Sequence, residues 1–288
     1  MTLVWRPGFE QWDPSLITTA LWLDANDSAT ITQSGGAITA WADKSGNNRT
    51  ATADGNPTYS ATGMSTNKPA VQLDGTGDGF VSSITGIGGF NALDIYMVAQ
   101  TTAAAAANTN TGFFWGYGNG GDAGGIYPAN KGLCLASAST STLTGETILF
   151  LNDSSVNTSG RLGSSTYTRA ADTAQILNSK TSTAGISLLS NGSSVNLDLS
   201  SQITTSTDAS PSSKSYTVDS NLYIGAIRGN AAVFYSPAIK FAEVIVSSTL
   251  LSTNNRQRME GYLAHKWGLT ANLPSDHPYR WMPPTPGV

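Results

Sequence analysis

The sequence predicts an all-β protein, a two-layer antiparallel sandwich with one short helix near the C-terminal end. Three observations predict it. Ser and Thr make up 70 of the 288 residues and Gly adds 30, while only 12% are charged; such a composition suits short strands joined by many turns. About a dozen short runs rich in β-branched and aromatic residues lie between turn residues. Only "MEGYLAHKWGL" (259–269) has helical spacing.

The elements follow in order. "LITTALWLD" (16–24), bounded by Pro14 and "ANDS", reads as the first strand. "AITAWADKSGNNRTAT" places Ile38 and Trp41 before a Ser-Gly-Asn-Asn turn at 45–48. In "KPAVQLDGTGDGFVSS", Val71 and Leu73 share a strand face, and "DGTGDG" turns the chain into the next strand. "ALDIYMVAQ" (92–100) is continuously apolar, as expected of a strand buried on both faces. "TTAAAAANTNT" (101–111) is too short and too Thr/Asn-flanked for a stable helix and reads as a loop. "GFFWGYG" is a strand followed by a glycine-rich loop, and 140–175 reads as weakly marked short strands.

The sharpest local signal is "GISLLSNGSSVNLDL" (185–199). Asn191-Gly192 fits the two positive-φ positions of a type I′ turn. That register pairs Ser190 with Ser193, Leu188 with Val195 and Ile186 with Leu197, with the apolar pairs on one face. The polar, low-complexity stretch 200–215 is a surface loop. "YTVDSNLYIGAIRG" and "AIKFAEVIVSS" are the last strands. For the helix, Ser252 or Thr253 caps the start and Gly268 the end. Met259, Tyr262, Leu263 and Trp267 share one face, with Arg256, Arg258 and Glu260 pointing elsewhere. The helix is expected to be structural, with Trp267 and Leu263 docked on the sandwich.

Net charge is −4 with no basic run, which excludes a nucleic-acid backbone as partner. One cysteine, Cys134, excludes an internal disulfide framework. No apolar stretch is long enough to span a bilayer, so no membrane partner is expected. The N-terminus lacks a basic-then-apolar signal, so synthesis in a host cytoplasm is expected. The division expected is an N-terminal arm (1–15), a sandwich domain (16–270) and a Pro-rich tail (271–288).

"LWLDANDSATIT", "GGAITAWADKSGNNRTAT", "KPAVQLDGTGDGF" and "FAEVIVSSTLLSTNNRQRMEGYLAHKWGL" followed by "LPSDHPY" resemble the concanavalin A-like, laminin-G-like jelly rolls. The nearer resemblance is to a branch common in environmental bacteria and tailed phages. It covers the first 100 residues and the last 70. It implies a jelly-roll sandwich that binds carbohydrate or protein, on a surface or in a virion. A fold resemblance assigns no ligand.

Candidate sites follow from residue chemistry. Glucanases of this fold carry a Glu-x-Asp-x-Glu strand, because retaining hydrolysis needs two carboxyl groups about 5 Å apart. The four glutamates, Glu10, Glu146, Glu243 and Glu260, have no acidic residue two positions away, so a hydrolase is disfavoured and no catalytic residue is expected. His265 and His277 are the only histidines and are expected on the helix surface and in a turn. Asp24, Asp27, Asp74 and Asp78 offer oxygens to calcium, with turn structure as the competing role; no other cofactor is expected. Trp115 and Tyr117 in "FFWGYG" offer faces to sugars or fill the core. Trp5, Trp12 and Trp281 lie in the Pro-containing arms, where Trp is a favoured interface anchor; those arms either dock on a neighbour or fold back over their own domain.

Two functions stand out, with a hydrolase third. One is a non-enzymatic structural protein of a phage virion, a capsid decoration or tail-fibre component, partnered by other virion proteins and itself as a homo-oligomer. The other is a carbohydrate-binding adhesin or receptor-binding module contacting cell-surface glycan.

Overall fold

A computed structural model describes residues 11–84, 92–102, 112–118, 132–138, 146–152, 160–164, 171–182, 185–195, 221–228, 233–235 and 238–286. The chain begins with β1 (Thr19–Asp24), β2 (Ile31–Ser34), β3 (Ala37–Trp41), β4 (Ala51–Asp54) and β5 (Thr58–Ser60). There follow β6 (Ala70–Leu73), β7 (Gly79–Ser83), β8 (Ala92–Thr101), β9 (Gly112–Gly118) and β10 (Gly132–Ala138). Next come β11 (Glu146–Asn152), β12 (Gly160–Ser164), β13 (Gln175–Ser182), β14 (Gly185–Ser190) and β15 (Ser193–Ser194). The last are β16 (Asn221–Ile224), β17 (Ala226–Arg228), β18 (Val233–Tyr235), β19 (Ile239–Ser247) and helix α1 (Thr253–Trp267).

An eight-stranded sheet runs β15-β14-β13-β8-β19-β6-β5, with β1 also paired to β19. It faces a nine-stranded sheet, β12-β11-β10-β9-β16-β7-β4-β3-β2, and β17-β18 form a small ribbon. All recorded pairings within the sheets are antiparallel. The chain is an all-β, two-layer antiparallel jelly-roll sandwich with one C-terminal helix, the predicted class. Strands outnumber the turn signals because several pieces, such as β5, β15, β17 and β18, are two or three residues long. Pieces that short carry no readable alternation.

Strand β8 is buried on both faces, as predicted, although Asp94 interrupts its apolar run. One face meets the other sheet, where the Trp115 indole nitrogen donates to Ser179 Oγ at 3.0 Å. The other face carries α1. Strand β19 lies at the centre, with β8 along one edge. Its other edge pairs with β6 through residues 239–241 and with β1 through 243–247. The change of partner coincides with a register shift between Phe241 and Glu243, the signature of a β-bulge. Beyond it Glu243 lies opposite Asp24, and Trp22 opposite Ile245, so these side chains share the helix-facing surface.

The helix ends as predicted. Ser252 Oγ accepts from the Asn255 backbone N–H at 3.3 Å, and Gly268 adopts φ 74°. Leu263 and Trp267 are buried in the core. Arg258 and Glu260, expected to point away, are buried too, because the C-terminal tail covers the helix's second face. Gly261 permits that cover: a Cβ there would lie 2.4 Å from Tyr279 Cβ. His277 lies in a turn as expected, its N–H donating to the Pro274 carbonyl at 3.0 Å, and it is buried there with Nε2 3.1 Å from Glu260 Oε2. Its Nδ1 accepts from the Tyr279 N–H, so Nε2 carries the proton and donates.

The hairpin forms in the predicted register. Asn191 and Gly192 have φ 50° and 80°, Ser190 pairs with Ser193, and the Val195 N–H donates to the Leu188 carbonyl at 2.9 Å. The Ile186–Leu197 pair and the loops predicted at 101–111 and 200–215 fall wholly or largely outside the described residues. Among the described residues no helix is long and apolar enough to cross a membrane.

Candidate binding site

A cleft of about 520 Å³ opens where five stretches of chain converge over the helix-facing surface. Gln11, Trp12 and Asp13 form one side, Pro283 and Pro284 the adjoining wall, Asn26 and Lys44 the loop rim, and Tyr262, His265 and Lys266 the helix side. Trp22 and Asp24 form its base. Both walls come from the predicted arms. Trp12 is 2% exposed, its backbone N–H donates to the Pro284 carbonyl at 3.0 Å, and its ring meets Tyr262 edge-on. The described part of the arms therefore folds back on its own domain, and Trp12 is a core residue instead of a free anchor.

Beneath the cleft lies Glu243, which has no exposed surface. Its Oε1 accepts from the Trp22 indole at 2.7 Å and the Tyr262 hydroxyl at 2.9 Å. Its Oε2 accepts from the Trp267 indole at 2.5 Å and Lys266 Nζ at 2.9 Å. Four donors satisfy this carboxylate, the condition for burying a charge without large cost. Lys266 also reaches Asp24 Oδ2 and the Tyr262 hydroxyl, both at 2.8 Å, so all three of its N–H groups are engaged. Lys44 binds Asp24 Oδ2 at 2.8 Å and Asp27 Oδ2 at 3.1 Å, with its ammonium over the Trp22 ring.

Shared ammoniums separate the two buried acids. Burial alone would raise the Asp24 carboxyl, but Lys266 and Lys44 outweigh it and hold it below the usual 3.8. Burial raises the Glu243 carboxyl above the usual 4.5; Lys266 offsets part of this and the Asp24 charge adds to it. Burial next to Glu243 also pushes the Tyr262 phenol upward. Burial would lower the Lys44 ammonium, yet Asp24 and Asp27 raise it.

Asp24 and Glu243 are thus a close carboxylate pair with divergent acidities, which the search within single strands could not find because one comes from β1 and the other from β19. Divergent pairs are the material of acid–base catalysis. Here both Glu243 oxygens are engaged by buried donors and the side chain does not line the cleft. The pair joins helix to sheet.

The predicted calcium set divides. Asp24 and Asp27 hold the lysines. Asp78, in a separate turn, accepts from the N–H groups of Asn56 and Asp74, and Asp74 accepts from that of Thr76. Among the described residues no group of three potential ligands could hold a metal ion. Trp115 is core, 1% exposed, not a sugar platform; Trp5 and the Tyr117 side chain lie outside the described residues. Trp281 is 74% exposed, with the Arg280 guanidinium 5.2 Å from its ring centre. It stands two residues from Pro283, within about 7 Å of the cleft wall along the backbone. His265 is half-buried, its Nε2 2.9 Å from the Tyr279 carbonyl oxygen, so it binds the tail instead of pointing into open solvent.

Residue-type reasoning missed Trp22, Lys44, Tyr262, Lys266 and the structural role of Glu243. One signal was present. Glu243 is the only acid inside the otherwise apolar "FAEVIV", and a charge in a buried strand requires partners.

The fold is similar to botulinum neurotoxin receptor-binding domains. A crystal structure of the receptor binding domain of botulinum neurotoxin mosaic serotype C/D matches with TM-score 0.54 and 12% identity, over 85% of this chain and 50% of that chain. The binding domain of botulinum neurotoxin DC in complex with SialylT matches with TM-score 0.57 and 9% identity, over 86% and 52%. A botulinum neurotoxin type C structure, described as dependent for cell entry on interaction with two ganglioside molecules, matches with TM-score 0.52 and 8% identity, over 85% and 51%. The chain spans about half the length of these structures. No family model matches the chain, and no curated protein matches it. At such identity the likeness establishes a β-sandwich of this architecture.

Proposed function

We propose that the chain is a non-catalytic glycan-binding module of the concanavalin A-like, laminin-G-like kind, with the cleft as its sugar site. The observation that carries this is the set of unengaged polar groups around an aromatic base. The Asn26 and Gln11 amides, Asp13 Oδ2 and one Lys44 N–H have no partner among the described residues. Convergent donors and acceptors over apolar surface are the usual form of a small-molecule site. Exposed Trp281 beside the wall adds a flat face on which a sugar ring can lie. Similarity to domains solved with SialylT or described with gangliosides supports the same reading. One of the supports for a virion component was arms docked on a neighbour, and Trp12 and the described part of the tail lie on their own sandwich instead.

The test is a glycan array followed by calorimetry on the full chain. Trp281→Ala is expected to weaken binding about tenfold, the worth of one aromatic contact. Its melting temperature should stay unchanged, since an exposed side chain contributes little to stability. Failure of the wild-type chain to bind any glycan would overturn the proposal.

A further inference from the structure

Building on that function, we infer that the cleft selects uncharged sugars and rejects those bearing a carboxylate, sulfate or phosphate. The charges around the cleft point this way. Among the described residues that line the cleft or pair with its lysines, four carboxylates (Asp13, Asp24, Asp27 and Glu243) stand against two ammoniums, Lys44 and Lys266.

Neither lysine is available as an anion receptor. Lys266 has every N–H engaged by Asp24, Glu243 and Tyr262. Lys44 keeps one N–H, and its charge is already balanced by Asp24 Oδ2 at 2.8 Å and Asp27 Oδ2 at 3.1 Å. Arg280, beside the exposed tryptophan, stacks on Trp281 and donates to the Leu273 carbonyl, and it is not among the residues that line the cleft. An incoming anion would add negative charge next to Asp24 and Asp27, or would have to displace one of them from an ammonium. Like charges in such proximity repel.

A hydroxyl meets no such obstacle, because it donates and accepts at once. It can take the free Lys44 N–H or an amide N–H from Asn26 or Gln11, and give its own proton to Asp13 Oδ2 or an amide oxygen. His265 fits the same pattern. Its Nε2 proton points to the Tyr279 carbonyl, leaving Nδ1 as an acceptor when the ring is neutral.

The experiment uses the full chain and matched oligosaccharide pairs that differ only in a terminal sialic acid, titrated by calorimetry at about 0.15 M salt, where steering at a distance is screened. The asialo member is expected to bind, and the sialylated member about tenfold more weakly. Equal or tighter binding of the sialylated member overturns the selectivity while leaving glycan binding intact; no binding by either member or by any array glycan overturns both. Asp27→Asn gives a second check at a partly exposed position. By releasing the Lys44 ammonium it should narrow the gap about threefold, and an unchanged gap in a variant with wild-type melting behaviour would remove the charge explanation.

Discussion

The inner face of the eight-stranded sheet presents Leu21, Leu23, Ile95, Met97, Val244 and Val246 to the opposing sheet, whereas its outer face presents Trp22, Asp24, Asp94, Tyr96, Asn178 and Glu243 to the helix side. Both faces are buried. The inner one is held by volume and apolar area. The outer one is held by sets of hydrogen bonds: Glu243 with four donors, and Asp94 with the Asn178 amide, the Leu251 N–H and the Tyr96 hydroxyl. Strands of the same sheet thus follow two rules, with parity along the strand deciding which applies. The lesson concerns tolerance: a core held by volume accepts a smaller apolar residue at graded cost, while a polar set fails when one member changes its charge.

Glu243→Gln puts the contrast under the greatest load. It preserves shape, turns one acceptor into a donor facing other donors and removes a charge from Lys266. About 3–5 kcal/mol of destabilisation is expected by urea denaturation, the range for breaking a buried pair. Leu23→Ala on the inner face removes far more volume and should cost about 3 kcal/mol. If the near-isosteric change proved the milder of the two, packing alone would account for both faces.

Gly192→Val extends the contrast to a place fixed by backbone conformation. A β-branched residue resists φ near 80°, and the new Cβ would lie 3.3 Å from Pro274 Cδ and 3.4 Å from His277 Cδ2. A loss of about 1–2 kcal/mol is expected, along with easier proteolysis of the tail. A wild-type melting temperature would show that the turn tolerates the strain.

Acid titration separates the two carboxylates by sign. Asp24 has a folded value below its ordinary 3.8, so its stabilisation is complete above that value and is lost as pH falls through the folded one. Glu243 is raised above 4.5, so its share of the stability falls as pH rises through the folded value, with Lys266 offsetting part of that loss. Asp24→Asn should flatten the loss of stability below about pH 4. A loss in that window as steep as the wild type's would assign it to another group.

Features written in neighbouring residues were legible in advance: the Asn191-Gly192 turn, the Ser252 and Gly268 caps, the doubly buried β8. Their physics is complete within a few residues. The outer face was not legible, since Trp22 and Glu243 are bonded across 221 positions and neither residue names its partner. The docking of Trp12 and the burial of His277 were not legible for a related reason. Proline-rich flanks look the same in sequence whether they hang free or wrap their own helix, and only the close approach at Gly261 distinguishes the cases. The cleft, assembled from five separated stretches, could not be seen until those stretches met.

The backbone bond between Trp12 and Pro284 has a mechanical consequence. Both segments flanking it form walls of the cleft, so tension applied at residues 11 and 286 pulls the site apart before it loads the antiparallel ladders of β19. The tail peels from α1 one contact at a time, whereas the sheets resist through many hydrogen bonds together. A ligand in the cleft would be released under load while the sandwich stayed folded, and the grip would return when the ends came back together.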